Sequence, residues 1–393
     1  MDHLIALLQQ CLSPKEHARR EAERQIGELG QSPGFAAALA QLACGTGGAA
    51  APVELRQMAL SVLKGYVHSG AWAADGGVPP AEQAAVRALL LGALADATPR
   101  VRTAVGAVIG RMAKDEWPER WPELMPALVE HAQSGALDRV AGALRCAQIF
   151  ADDISDEQLP AALDALWPTL HQLLLCDSGA PQRLRARAMA VTYGLLSVLA
   201  LRVGAGARGA KEQLAVVLEP CMAACFGILR AGADAGDAGY GVQIHALRTV
   251  TLLFQKFPKT TDAALGALLP EVLALLGGAL AGFEAQHVRG AADAADAAYD
   301  SDGTPLGFED CVAQLVELIG SLVEVPRFRK ALTCADRPRP LPLRTDCVPL
   351  TLRGSSRRPE LNRIAELLLG FTQVTEDQVR LLRALDYRAS CAG

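Results

Sequence analysis

The sequence predicts an all-α fold, a HEAT-type α-solenoid in which helical hairpins stack into a curved right-handed superhelix. Three observations predict it. The chain is 51% hydrophobic but only 5% aromatic, Ala and Leu dominate it and β-branched runs are scarce, so summed propensity favours helix in most windows. Helix-start signals recur about every 20 residues, so that two helices make a unit of about 40. Each such hairpin is too apolar to stand alone and needs its neighbours, which is the signature of a repeat stack.

The elements follow in order. Ser13-Pro14-Lys15-Glu16 reads as a capping box, with Ala18, Ala22, Ile26 and Leu29 then on one helical face. Ser32-Pro33, Pro52, Pro79-Pro80 and Thr98-Pro99 open the next segments, because proline costs little in a first turn whose N–H groups have no partner. Asp115 to Pro126 (DEWPERWPELMP) sets two Trp-Pro pairs four positions apart. That spacing predicts Trp117 and Trp121 on one face as anchors of a stiff joint, with Pro118 and Pro122 starting a helix that carries Leu124, Leu128 and Val129.

Further along, Ser155 with Gln158 is expected to cap a helix running past Trp167-Pro168, and Pro181 to start one reaching about Val203. The Gly-rich joint 204–209 leads into a helix to Arg230, and 232–239 into one ending at Phe257-Pro258. Pro168, Pro270 and Pro326 fall inside helical patterns and predict kinks. Arg100 and Arg102 read as ladder residues between repeats.

Two stretches break the pattern. Residues 284–310 are Ala-rich and carry Glu284, Asp293, Asp296, Asp300, Asp302, Glu309 and Asp310 against Arg289 alone, too polar to pack. Residues 333–358 hold four prolines and six arginines with no helical period. The organisation expected is therefore 1–114 and 115–283 as repeats, 284–307 as an acidic loop, 308–332 as a repeat helix, 333–358 as a Pro/Arg-rich insertion and 359–393 as repeat helices again.

Several function classes are disfavoured. A net charge of -5 and a pI near 5.9 disfavour nonspecific nucleic-acid binding and leave room for a basic partner. The ten cysteines form no Cys-x-x-Cys pair and imply a reducing compartment. Met1-Asp2-His3 starts no signal peptide, and the longest charge-free apolar run, Val272 to Phe283, is shorter than a membrane span of about 20 residues. Gly204-Ala205-Gly206-Ala207-Arg208-Gly209 satisfies G-x-G-x-x-G, but the dinucleotide fingerprint requires a preceding strand. Leu184 to Val203 reads instead as a helix, with Arg185, Arg187 and Arg202 on its polar side. Cys221 and Cys225 read as core residues, since no His or further Cys completes a metal site. The seven histidines form no catalytic motif. No cofactor, metal or catalytic residue is expected.

Three stretches carry a resemblance. Leu55 to Trp72 (LRQMALSVLKGYVHSGAW) is similar to the second-helix signature of the importin-beta N-terminal domain, and DEWPERWPELMPAL to the Trp-Pro motif of that superfamily. Tyr299 to Leu322, with DSDGTPLGFED before a Val/Leu helix, resembles a narrower branch of it. The chain thus resembles the N-terminal third of an importin-beta-type nuclear transport receptor from Leu4 to Asp386, with 333–358 interrupting as inserted sequence in a form shorter than the family's receptors.

The resemblance implies a monomeric carrier that shuttles between cytoplasm and nucleus. It would bind the GTP form of the Ran GTPase through N-terminal repeats, meet nucleoporins, and carry basic protein cargo such as histones or ribosomal proteins. Arg56, Gln57, Lys64 and Trp72 fall in the Ran region, where packing between hairpins explains them equally well. Glu284, Asp293, Asp296, Asp300 and Asp302 are the candidate contacts for basic cargo. A HEAT scaffold without Ran dependence is the alternative from another class.

Overall fold

The computed structural model describes residues 1–46, 51–72, 77–175, 178–231, 240–283 and 307–328. Among these residues every regular element is a helix, and the chain divides into two compact units, Met1–Pro220 and Cys221–Gly393.

In the first unit the odd helices are α1 (Asp2–Cys11), α3 (Phe35–Cys44), α5 (Pro80–Ala93), α7 (Leu124–Gln133) and α9 (Leu159–Leu174). They alternate with α2 (Glu16–Leu29), α4 (Val53–His68), α6 (Pro99–Glu116), α8 (Leu137–Asp152) and α10 (Gln182–Gly204). Each odd helix packs on the even helix after it, and α4, α6, α8 and α10 pack one upon the next; α3 also packs on α5 and α7 on α9. This two-layer stacking is the HEAT-repeat α-solenoid class that the sequence predicts. Buried Leu63, Val105, Ile109, Leu144 and Leu195 form the seam of the even layer. Burial of such side chains, about 25 cal/mol per Å² of apolar surface, holds the layers together.

Four prolines start helices where the sequence places them, whereas Pro118 and Pro122 lie in the turns before α7. Pro52 precedes α4, Pro80 and Pro99 are the first residues of α5 and α6, and Pro181 precedes α10. Ser155 and Gln158 exchange two bonds at 3.2 Å, Ser155 N–H to Gln158 Oε1 and Gln158 N–H to Ser155 Oγ, forming the expected box. At α2 the box does not form. Ser13 Oγ accepts instead from the N–H of Lys15 at 3.2 Å, because that nearer donor is reached first, and Glu16 pairs with Arg20 one turn on.

The Trp-Pro segment also differs from expectation. Residues 117–123 form turns between α6 and α7, with a cis Trp117-Pro118 bond, so the two tryptophans share no helical face. Trp117 meets Phe150 of α8 edge-on at 5.5 Å, and Trp121 lies under Arg87 of α5. Both remain buried anchors of the joint.

The G-x-G-x-x-G run is a connection between helices. α10 ends at Gly204, Gly206 and Gly209 take positive φ, and α11 (Ala210–Ala231) begins directly after. Arg185, expected on a polar face of α10, is buried and donates to the carbonyl of Leu174 at 3.2 Å.

α11 runs across the boundary between the units. In the second unit α12 (Gly241–Lys256) packs on α14 (Phe308–Glu324), and α13 (Leu265–Phe283) touches α14 as well. Phe254 and Phe328 meet at a tilt of 52° with ring centroids 5.2 Å apart, and Gln255 donates to Ser321 Oγ at 2.6 Å. Pro168 and Pro270 lie inside α9 and α13, whereas Pro326 follows the end of α14 instead of bending it, because Val325 is already extended. Asp310 closes the N-terminus of α14, its carboxylate accepting from the N–H of Gly307 at 3.0 Å.

Three helical stretches, Gln182–Gly204, Ala210–Ala231 and Asp262–Ala279, have the length and hydropathy of a membrane span. The charge-free run read from sequence covers only part of the third and none of the first two, because isolated charges punctuate them. Half or more of the first two windows is buried inside the protein, where a helix packed on several sides is apolar most of the way round.

Candidate functional site

α4 is built to bury one face. Leu55, Ala59, Leu60, Leu63 and Val67 point into the stack, at the 3.6-residue period of an amphipathic helix. The opposite stripe is Gln57, Ser61, Lys64 and His68, with Gln57 half-buried and the others exposed. On the neighbouring α6, Arg111 donates through Nε to His68 Nδ1 at 3.3 Å and pairs with Asp115 at 2.8 Å. On α8, Arg145 donates to Gln148 at 3.2 Å, and burial pushes the Asp152 carboxyl up, opposed by Arg145 and reinforced by Asp153. The even layer therefore presents a polar, mixed-charge face. His68 and Arg111 were not singled out from the sequence, although their places on the outer period of α4 and α6 could have marked them.

Of the four residues expected in the Ran region, the structure leaves Gln57 and Lys64 on this face and places Arg56 and Trp72 inside. Arg56 Nε donates to the carbonyl of Ala43 at 2.7 Å while its Nη atoms grip the Asp96 carboxylate. Burial pushes that carboxyl up, but the Arg56 guanidinium and the Thr98 N–H hold it below its ordinary value. Arg102 repeats the device one hairpin later, bonding the Asp96 carbonyl and Asp138 Oδ1, the latter at 2.9 Å. Arg56, Arg102 and Arg185 each occupy the fourth position of their helix and bond a carbonyl at or just beyond the end of the preceding odd helix. They tie three of the five hairpins of the first unit closed, α3–α4, α5–α6 and α9–α10. Arg100 is exposed and takes no part in this ladder.

Trp72 is 2% exposed, and its indole N–H donates to the carboxylate of Glu116, itself 2% exposed. Arg87 donates to the other carboxylate oxygen of Glu116, from Nη2 at 2.8 Å and Nε at 3.1 Å, and to the carbonyl of Arg120 at 3.1 Å. Gln83 holds the carbonyls of Trp72 and Val78, each at 3.0 Å. One buried carboxylate thus fastens the end of the Leu55 to Trp72 motif to α5, α6 and the Trp-Pro joint. Gln158 braces the other side of that joint, donating to the carbonyls of Ala113 at 3.0 Å and Trp117 at 2.6 Å.

The candidate cargo contacts Glu284, Asp293, Asp296, Asp300 and Asp302 lie outside the described residues, as do 333–358 and 359–393. Cys221 and Cys225 are buried side by side on one helix, and among the described residues no three His, Cys, Asp or Glu side chains gather as a metal site. What the described face offers is a set of exposed hydrogen-bonding and charged groups on stacked helices.

No family model matches the chain. Solved structures do match its fold. The exportin Cse1 in its cargo-free, cytoplasmic state aligns with TM-score 0.59 and 12% identity over 84% of this chain and 35% of its own. Importin beta aligns with TM-score 0.57 and 17% identity over 86% of this chain and 36% of its own. Yeast importin-beta, Kap95p, aligns with TM-score 0.55 and 14% identity over 86% and 44%. Kap95 also matches in its complex with Nup1, at TM-score 0.54, and in a structure with RanGDP, whose switch loops adopt the GTP-bound conformation, at 0.52. The fold is that of the karyopherin solenoids. The chain spans between 35% and 45% of the length of these proteins.

Proposed function

We propose that this chain is the N-terminal part of a nuclear transport receptor of the importin-beta type, a binding protein and not an enzyme. The observation that carries the reading is the serial two-layer stacking of hairpins, matched over most of the chain by karyopherins. The motifs Leu55 to Trp72 and DEWPERWPELMPAL add to it, because the structure makes them one fastened joint around Glu116. Within the family, the run Asp300-Ser301-Asp302-Gly303 before Leu306-Gly307-Phe308-Glu309 favours the importin-9 type.

In this reading the GTP form of Ran docks on the even layer, contacted by Gln57 and Lys64, while Arg56 and Trp72 hold the repeats that present them. Basic cargo meets Glu284, Asp293, Asp296, Asp300 and Asp302, and nucleoporins are further partners, as the Kap95 complexes with Nup1 and RanGDP suggest by analogy. A stack of hairpins whose pitch two ligands bias in opposite directions couples them by about 1 to 3 kcal/mol, enough for one to release the other. The receptor would shuttle between cytoplasm and nucleus.

The test is a pull-down of Ran loaded with GTP or GDP on the immobilised chain and on its Lys64→Glu variant. Preference for the GTP form, weakened by the variant, supports the proposal. Equal or absent capture of both forms leaves a HEAT scaffold without Ran dependence.

A further inference from the structure

The first turns of α6, α8 and α10 share one edge of the even layer. Arg102 of α6 reaches Asp138 of α8 at 2.9 Å, which sets those two starts side by side. Gln133 at the end of α7 donates to Thr169 toward the end of α9 at 2.9 Å, and Arg185 ties the start of α10 to the carbonyl of Leu174, so α10 begins at the same edge. Along it Arg100, Arg139 and Arg183 stand in one register, each directly before the first buried apolar residue of its helix, Val101, Val140 and Leu184. All three are exposed, and none has a hydrogen-bond or ion-pair partner among the described residues. Glu54 holds the same position on α4, before Leu55, and ends the row.

Nearby carboxylates do not answer this row. Within 94–102, 134–140 and 178–185 they are Asp96 and Asp138, and Arg56 and Arg102 already hold them. The N-cap residues Thr98, Ala136 and Pro181 make no side-chain cap, so the positive ends of three helix dipoles add to the same potential. On a chain of net charge -5 this edge is a local reversal of sign. We propose that it docks an extended acidic segment of a partner protein, with Asp or Glu at every third position and one carboxylate to each arginine. Packed helices lie about 8–10 Å apart, and a polyproline-II-type chain has about three residues per turn of about 3.1 Å each, so its every third side chain shares a face and keeps step with the row. The guanidinium fork matches a carboxylate. Exposed pairs are individually weak and screened by salt, so affinity comes from meeting all three at once. Nucleic acid is the other polyanion, but these first turns offer no aromatic ring for base stacking and the net charge of the chain opposes it. The inference goes beyond the Ran reading: it uses the edge of the layer and none of the residues assigned to that contact.

The experiment measures fluorescence anisotropy of labelled nonapeptides against the full chain at low salt. One peptide carries glutamate at its second, fifth and eighth positions among serines, a second sets the three glutamates side by side, and a third has lysines in their place. The spaced glutamate peptide is expected to bind about tenfold or more tightly than the lysine peptide, to exceed the clustered one, and to weaken as salt is raised. Combining Arg100→Glu, Arg139→Glu and Arg183→Glu should cost it about tenfold or more, whereas Arg208→Glu, beyond the other end of α10, should leave it unchanged. Glutamate in a first helical turn suits the helix dipole, so the triple variant keeps its fold, which unchanged circular dichroism would confirm. Absence of binding, equal affinity for the spaced and clustered or the spaced and lysine peptides, or indifference to the triple charge reversal would overturn the proposal. Tighter capture of an oligothymidylate than of the spaced peptide, lost in the triple variant, would overturn it in favour of nucleic acid. The peptide comparison on the unaltered chain decides the matter even where a variant misfolds, and it involves no Ran.

Discussion

Arg87 and Glu116 form an ion pair at 2.8 Å with side chains only 15% and 3% exposed, and the same carboxylate takes the indole N–H of Trp72. Removing one partner of a buried pair leaves an uncompensated charge, which costs about 3–5 kcal/mol. Arg87→Ala should therefore lower the unfolding free energy by about that much in urea titration. A double change, Arg87→Met with Glu116→Leu, should lose distinctly less than the sum of the two single changes, because no orphan charge remains. Additive losses would mean that the three-way contact is not coupled.

Gly142 of α8 has no room for a methyl group. A Cβ there would lie 1.9 Å from the carbonyl oxygen of Leu94 at the end of α5, backbone that cannot swing aside. Gly65 of α4 has nothing within 4 Å and does not take positive φ. Gly142→Ala should thus destabilise by about 3 kcal/mol or more through forced separation of the helices. Gly65→Ala should stabilise by about 0.5–1 kcal/mol through helix propensity. Thermal melts of the two variants should move in opposite directions.

The contrast between these glycines shows what the sequence could and could not reveal. Helix starts at Pro52, Pro80, Pro99 and after Pro181 were legible because proline acts through its own backbone, and the Ser155–Gln158 box because its partners are three residues apart. For Arg56 and Trp72 the sequence left packing between hairpins open beside a Ran contact and could not decide between the two. Their partners Asp96 and Glu116 are 40 and 44 residues away and are brought in only by stacking of the next hairpin. The tryptophan pair misled for a related reason: spacing of four means one face only in a helix, and Trp117 and Trp121 stand in turns facing different neighbours. The polar stripe of Gln57 and Lys64 was within reach of periodicity, because it needs only the spacing of residues on one helix.

Asp96 makes the stack sensitive to acid. Burial alone would raise its pKa, but Arg56 and the Thr98 N–H lower it below the ordinary value of 3.8. A carboxyl depressed in the folded state contributes stability that is fully present above its unfolded pKa and lost as pH falls through the folded one. The contribution should be intact at pH 7 and fade below about pH 4. Asp96→Asn should lower stability at pH 7 and flatten the pH dependence between about pH 4 and 2, as read by urea titrations across that range. A slope unchanged by the substitution would remove Asp96 from the account.

Thiol chemistry tests the packing of both units separately. Burial pushes the thiol of Cys44 up to about 11, and those of Cys146 and Cys311 up to about 12. Cys225 is held well above its ordinary value by its hydrogen bond with Cys221 and by burial. The nucleophile in alkylation is the thiolate, so at pH 8 these four sites combine a very small reactive fraction with little or no access. Iodoacetamide followed by peptide mass mapping should leave Cys44, Cys146, Cys225 and Cys311 unmodified in the folded protein and modify all four in urea. Rapid native labelling confined to Cys311 or Cys225 would show that the second unit opens on its own, since Cys44 and Cys146 report only on the first.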